Sequence, residues 1–468
     1  MSVALWWIRR DLRLTDSPAL HAARAHGAVV PVFVWDPAFR VRAWYRESHA
    51  RRAFLAGGLA ALAADLERRG SRLVVADGDP REVLRKLLTE TGADAIYALA
   101  DATAGARERD AALARELPLR LLPGICVHAP GTVLTAQGTP YTVFTPFHRA
   151  WRAQPFPNAQ DCHPAPDEIP APPRWPASRP LDAADAPTRF APGEAEAQRR
   201  LDRFVAWSIA DYAARRDVLA AAATSTLSPY LRFGMLSPRI AAMRAAEATL
   251  HGGGHGAETW LKELVWREFY LHVLYHFPHV TRTAFNARLR HVAWRDAPAD
   301  LAAWQQGMTG YPIVDACMRQ LLAEGWMHNR GRMIVASFLA KDLLVDWRHG
   351  ERWFMQHLVD GDPAANNGGW QWAAGVGTDA APYFRIFNPV LQGEKFDPGG
   401  EFVRRYVPDL ANVPARYVHR PWEMPPLELS LCGVVLGETY PHRIVDRAIV
   451  KARTLAAYQA AQARDPAG

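Results

Sequence analysis

The sequence predicts an α/β domain with a doubly wound parallel sheet, followed by a long linker and an all-α domain. Three observations predict this. Over the first 130 residues short apolar runs alternate with amphipathic segments. Eleven prolines between Pro155 and Pro192 interrupt every periodicity. Beyond about residue 195 the pattern is helical, and eleven of the 17 tryptophans fall there. A chain of 468 residues is too long for one small core. The expected boundaries are 1–130 for the α/β domain, 131–200 for the linker and 201–468 for the helical domain.

In the first part Val3–Ile8, Val29–Trp35, Arg72–Ala76, Ala95–Leu99 and Arg120–Leu122 read as strands. Ser17–His26, His49–Arg69, Pro80–Thr91 and Ala106–Leu117 read as the helices between them. The first strand runs into WWIRRDLRLTD without a GxGxxG, which disfavours a nicotinamide role. Such a sheet still tends to bind ligands at the carboxyl ends of its strands. In the linker, Tyr141–Trp151 is more apolar and is expected to pack. The helical part offers Glu194–Ile209, Pro238–Thr249, Glu258–His276, Pro298–Gln306, Pro312–Glu324, Arg332–Asp346, Glu351–Leu358 and Val445–Ala463. Several of these open on proline or a capping residue.

An apolar fraction of 49% with 22% charged residues is a globular composition. The net charge of +7 permits a polyanionic partner. Of 55 basic residues only five are lysine. Arginine suits phosphate recognition, although genome base composition is the larger cause of that bias. The four cysteines lack CxxC spacing, so a reduced compartment and no zinc site are expected. No secretory signal or bilayer-spanning run is read, which implies a cytoplasmic protein.

Chemistry concentrates in Gly325–Trp372. Asn329, Arg332 and Met333 share one helical face, a loop with Asp360 and Asp362 follows, and Asn366 precedes a tryptophan pair. The stretch is read as wrapping an aromatic cofactor and shaping a pocket for a flat anionic partner. Plainer readings exist for each piece: an Arg332 ion pair with Asp360 or Asp362, and capping by Asp362 and Asn366. On a second helix Trp260, Glu263, Trp266, Arg267 and Tyr270 share a face, where an exposed Glu263–Arg267 pair over a tryptophan stripe is the plainer reading. Tyr212 and the hydroxyl-rich Thr224–Ser228 loop precede a helix in a manner suited to phosphate.

Seven runs together resemble the photolyase/cryptochrome family, in order and over nearly the whole chain. They are Trp6–Leu14, Trp266–Tyr270, Thr309–Ala316, Gly325–Arg330, Asp360–Asp362, Asn366–Trp372 and Phe384–Pro389. The resemblance is nearest to the class I branch that acts on cyclobutane pyrimidine dimers. It implies an antenna domain, a linker and a helical domain holding FAD. It further implies a carbon–carbon lyase in which excited, anionic reduced FAD passes an electron to a dimer flipped out of DNA. By the same resemblance Tyr212, Thr224, Ser225, Thr226, Leu227 and Ser228 contact the FAD phosphates and ribityl chain. Arg332 and Asp360 form a salt-bridged pair beside the flavin rings, with Gly361 and Asp362 adjoining and Asn366 facing N5. Glu263, Trp266, Asn329, Met333 and Trp372 line the lesion pocket, and Glu263, Arg267 and Asn329 also border the cofactor. Trp294, Trp347 and Trp370 relay electrons. Arg216, Arg330 and Arg385 lie near the DNA backbone, with Arg267 and Tyr270 in the same interface.

The alternatives within the resemblance are a cryptochrome-like light receptor, a (6-4) photolyase and a single-strand-preferring photolyase. The (6-4) enzymes are expected to carry histidines where Asn329 and Met333 stand, and cryptochromes commonly carry Asp or Cys at the place of Asn366. For the antenna, Gly105–Arg107 lacks the glutamate of a folate site. Arg10, Asp101 and the Phe33–Asp36 segment are more similar to a deazaflavin or FMN site, and an empty domain is the further alternative. A monomer, associated with the nucleoid when on DNA and without an obligate protein partner, is expected.

Overall fold

The three central strands of the sheet are runs apolar on both faces, as a strand covered by helices on each side requires. The structure, a computed structural model, describes residues 2–38, 48–181 and 189–464. Its strands are β1 (Val3–Ile8), β2 (Ala28–Trp35), β3 (Val74–Asp77), β4 (Ala95–Leu99) and β5 (Leu119–Leu122). They form one parallel sheet in the order β3-β2-β1-β4-β5. β1 is buried along its whole length and pairs Val3 with Ala28 on one side and Ala4 with Ala95 on the other. The strand order reverses between β1 and β4, which opens a crevice at their carboxyl ends. Arg10 follows β1 and Asp101 follows β4, so both stand at that crevice.

The chain divides into two compact units. The first comprises Met1–Ala213, Thr224–Pro278 and Val359–Ala364; the second comprises Ala214–Ala223, His279–Leu358 and Ala365–Gly468. In the first unit the proline-rich segment is stitched to the α/β layer by backbone bonds. Val29 donates to Pro170 at 2.8 Å, Ile169 to Arg69 at 3.0 Å and Arg179 to Val75 at 2.9 Å. Residues 182–188 of that segment lie outside the described residues. The apolar Tyr141–Trp151 run does pack: it contributes the helix Phe144–Ala153, with Phe144, Phe147 and Trp151 buried. Glu268, buried on the helix Gly254–His276, accepts from the Trp151 indole at 2.7 Å and from the backbone of Val127 and His128.

In the second unit helices surround a continuous core that includes Trp304, Tyr311, Phe338, Trp347 and Trp370. Two expectations are corrected here. The segment read as one helix, Arg332–Asp346, is instead the helix Asn329–Ser337 continued by a π-helical turn, Phe338–Asp342, in which Leu343 N–H reaches back to Phe338 at 2.9 Å. Leu344, at φ +53°, ends it. Asp346 then caps a new helix, Trp347–His357, by accepting from Arg348 N–H at 3.0 Å. The part of Gly325–Trp372 beyond Asp362, to which the sequence reading assigned no helix, is the helix Pro363–Ala374. Proline at the first helical position and Asp362 Oδ1 accepting from Ala364 N–H at 2.9 Å start this helix despite Gly368 and Gly369.

One glycine is fixed by the packing of the first unit. Gly234 ends the helix Ser228–Phe233 at φ +68°, and a Cβ there would sit 1.8 Å from the Arg10 carbonyl oxygen. A Gly234→Ala substitution is expected to destabilise the protein by roughly 3 kcal/mol or more, from the left-handed backbone and the backbone clash together. Denaturant unfolding measures this; a loss under 1 kcal/mol would contradict the close approach.

Candidate functional site

The candidate residues fall in both units, and each group is described within its own unit. In the first, Asp362 is the electrostatic centre. Its Oδ2 lies 2.6 Å from Arg10 Nη2 and 3.6 Å from Arg232 Nε, while Arg10 Nη1 lies 3.7 Å from Asp101. Burial acts to raise the Asp362 pKa, but Arg10, Arg232 and Arg267 outweigh it and hold the carboxyl well below the usual range. Burial, with Arg10 alongside, lowers Arg232 to about 10. Arg232 also donates to the Gly361 carbonyl at 2.9 Å. Two antenna candidates, Arg10 and Asp101, and one cofactor candidate, Asp362, are thus members of a single ion cluster. Asp360 is buried beside them in sequence.

The loop Thr224–Ser228 has the backbone of an anion nest. Thr226 is left-handed at φ +52° and Leu227 follows at φ −90°, ψ −2°. Among the described residues, none of the five backbone N–H groups from Thr224 to Ser228 donates to another part of the chain. Successive outward N–H groups of this kind cradle phosphate oxygens. Ser225 Oγ accepts from the Trp260 indole at 3.3 Å, and Arg200 holds Thr226 Oγ1 at 3.0 Å. Tyr212 is buried with its ring edge against Phe204.

The helix Gly254–His276 buries Trp260 and leaves Glu263, Trp266, Arg267 and Tyr270 half-buried. Arg267 donates to the carbonyls of Ile125 at 2.9 Å and Leu231 at 3.4 Å. Trp266 stacks on Phe144, with centroids 3.6 Å apart and planes 3° from parallel. Phe144 was not among the candidate residues; the apolar Tyr141–Trp151 run was its only signal.

In the second unit a cleft of about 560 Å³ gathers Arg330, Met333, Trp372 and Arg385. Met333, Trp372 and Phe387 are half-buried and form its apolar surface, while Arg385 and Lys395 are exposed at its edge. Exposed Asn329 contacts Met333, with Nδ2 3.9 Å from Sδ. Arg330 makes a two-pronged pair with Asp217, at 3.2 and 2.7 Å, and lies 4.4 Å over the Phe396 ring. Arg216 Nε lies 3.9 Å from the same carboxylate. Asp217, Gln392 and Lys395 were not anticipated, because nothing local in the sequence aims them at the cleft. Phe387 lay inside a quoted motif without an assigned role. Arg332 donates from Nε to the Met327 carbonyl at 2.9 Å.

Trp347 and Trp370 are buried and Trp294 is half-buried against the same core. Trp370 meets Phe354 edge-on at 5.0 Å and Trp304 at 5.9 Å. Asn366 Nδ2 donates one of its two N–H groups to the Glu351 carbonyl at 2.9 Å, which fixes the orientation of the amide. Asn367 Nδ2 donates to Glu351 Oε1 at 3.0 Å. Among the described residues no group of three or more His, Cys, Asp or Glu side chains is arranged to hold a metal, and no helix is long and apolar enough to cross a membrane.

Comparison with known proteins assigns residues 4–171 to the family DNA photolyase and residues 260–460 to the FAD binding domain of DNA photolyase. A deoxyribodipyrimidine photo-lyase from Agrobacterium fabrum is 44% identical, covering 97% of each chain. A solved bacterial class III photolyase from Agrobacterium tumefaciens is 42% identical with a TM-score of 0.93, covering 99% of this chain and 98% of that one. An archaeal photolyase from Sulfolobus tokodaii, solved with two FAD molecules, is 30% identical with a TM-score of 0.82, covering 98% and 99%.

Burial raises the Glu351 carboxyl to about 7, against the opposing effect of its bond from Asn367. The native state therefore keeps this proton longer than the unfolded chain, and stability falls as pH rises from about 4.5 to 7. Glu351→Gln retains the acceptor for Asn367 and removes the charge. It is expected to stabilise the protein by on the order of 3 kcal/mol at pH 8 and to be near neutral at pH 4.5. Thermal unfolding across that range reads the difference; a gain independent of pH would overturn the assignment.

Proposed function

Because the chain belongs to the DNA photolyase family, we propose that it is a deoxyribodipyrimidine photo-lyase, which uses light to split cyclobutane pyrimidine dimers in DNA. The observation that carries this reading is the cleft of the second unit, an apolar surface of Met333, Trp372 and Phe387 edged by the cations Arg385 and Lys395. Its volume suits a small flat ligand, and its edge suits the phosphates on either side of a flipped-out nucleotide.

The proposed FAD-binding residues include one loop whose own geometry suits the cofactor. The nest at Thr224–Ser228, with five N–H groups unused by the described chain, suits a diphosphate. Tyr212, Arg332, Asp360, Gly361, Asp362 and Asn366 complete the proposed set. The Asn366 amide is held in place by its bond to the Glu351 carbonyl. When bound and reduced, FAD supplies under light the electron that opens the two bonds joining the bases, and receives it back afterwards.

The chain supplies binding and orientation. Trp266 and Trp372 offer stacking surfaces, Glu263 and Asn329 offer hydrogen bonds to base edges, and Met333 fills the apolar side. Trp370, Trp347 and Trp294 are proposed as the relay that restores the reduced flavin. Arg216, Arg267, Tyr270 and Arg385 are proposed on the DNA side. Arg330, already neutralised by Asp217, supports the cleft wall more than it attracts phosphate. A second chromophore is proposed at the carboxyl ends of β1 and β4, a deazaflavin or FMN in preference to folate; mass spectrometry of the released cofactors tests it. The protein is proposed to act as a cytoplasmic monomer.

The purified protein is expected to repair a thymine-dimer oligonucleotide in blue light and not in the dark; repair in the dark would overturn the reading. Glu263→Ala is expected to slow that repair with FAD retained, and loss of flavin would instead assign Glu263 to cofactor holding. Arg385→Ala is expected to weaken DNA binding and reduce the slope of log K against log salt by about 1. An unchanged slope would remove Arg385 from the phosphate contacts.

A further inference from the structure

Residues 382–388 form one wall of the cleft through Arg385 and Phe387 and have no regular secondary structure. Their shape is set from the buried side. Lys341 Nζ donates to the Arg385 carbonyl at 2.9 Å and the Pro382 carbonyl at 3.5 Å. Arg447 Nη1 donates to the Phe387 carbonyl at 2.7 Å and to Asp342 Oδ1 at 2.5 Å. Lys341 and Asp342 are 1% and 0% exposed and belong to the π-helical turn. Thr454 Oγ1 donates to the Lys341 carbonyl at 2.6 Å, which anchors the turn itself.

An ammonium and a carboxylate held out of water are costly to the fold. Burial lowers Lys341 to about 8 and raises Asp342 to about 7. A methionine would occupy the place of Lys341 without that cost. What the ion does and methionine cannot is donate, and both of its side-chain acceptors lie in one stretch of the cleft wall outside helix and strand, at the turn in which Arg385 N–H donates to the Pro382 carbonyl at 2.9 Å. A bonded peptide carbonyl in such a stretch fixes the direction of the neighbouring side chains.

We propose that Lys341, braced by Asp342 and Arg447, is a positioning residue that fixes the 382–388 wall and thereby aims Arg385 at a DNA strand. This rests on the reading of the cleft as a DNA site. Lys341 is buried and does not line the cleft, so it acts through the wall.

The test uses the full-length, flavin-loaded protein and an oligonucleotide carrying one thymine dimer. Lys341→Met is expected to raise the Kd about tenfold, the size of one lost charge-assisted bond. Repair per absorbed photon at saturating DNA and the flavin absorption spectrum should stay unchanged. Lys341→Gln, which keeps a donor, should recover most of the affinity. Adding Lys341→Met to Arg385→Ala should cost less than it does alone, because both act through one group. A Kd within twofold of the unsubstituted protein, full additivity with Arg385→Ala, or a fall in photon yield at unchanged affinity would each overturn the proposal. So would failure of both Lys341 variants to fold with flavin bound, since Lys341 would then support the core and not the wall. Failure of the unsubstituted protein to bind or repair the oligonucleotide would instead overturn the DNA reading.

Discussion

The buried Asp362 carboxylate is the interaction on which most of the described chemistry depends. It faces Arg10 from the end of β1 and Arg232 from the helix Ser228–Phe233, and it caps the helix that carries Asn366, Trp370 and Trp372. One side chain therefore answers two needs that usually fall to separate residues: neutralising guanidiniums at the sheet crevice and starting a helix. Its ionised form is secured by three arginines, so it stays charged far below neutral pH. Removing a single member of such a set leaves the others buried without compensation, which is far more disruptive than the net worth of the pair suggests.

The fold was legible where one local rule decided the outcome. β1 and β4 have the bounds expected from the sequence, because a parallel strand buried on both faces is an unbroken apolar run with sharp ends. Pro80–Thr91 and Pro312–Glu324 were equally clear, with proline at the start and a left-handed glycine just past the end. The helix Pro363–Ala374 was not legible, since its two asparagines and two glycines argue against a helix and only its cap and packing override them. The π-helical turn at Phe338–Asp342 was hidden because its apolar spacing matches an α-helix.

The same division holds for the site. Arg330, Met333, Trp372 and Arg385 were named from motifs and do share a cleft. Asp217, which holds Arg330 from 113 residues away in the chain, leaves no mark on any local pattern. Ion-pair partners of this kind become visible only when the backbone has been placed. The resemblance pointed towards class I, whereas the solved relative from Agrobacterium tumefaciens is a class III photolyase; the two agree on the family.

The stack of Trp266 on Phe144 gives the indole a front and a back. Two rings 3.6 Å apart leave no gap on the rear side, because inserting a base between them would require about twice that separation. Phe144 is itself wedged against Phe269 and His148, so the rear cannot open by a simple side-chain swing. Any planar partner must then approach Trp266 from one direction only.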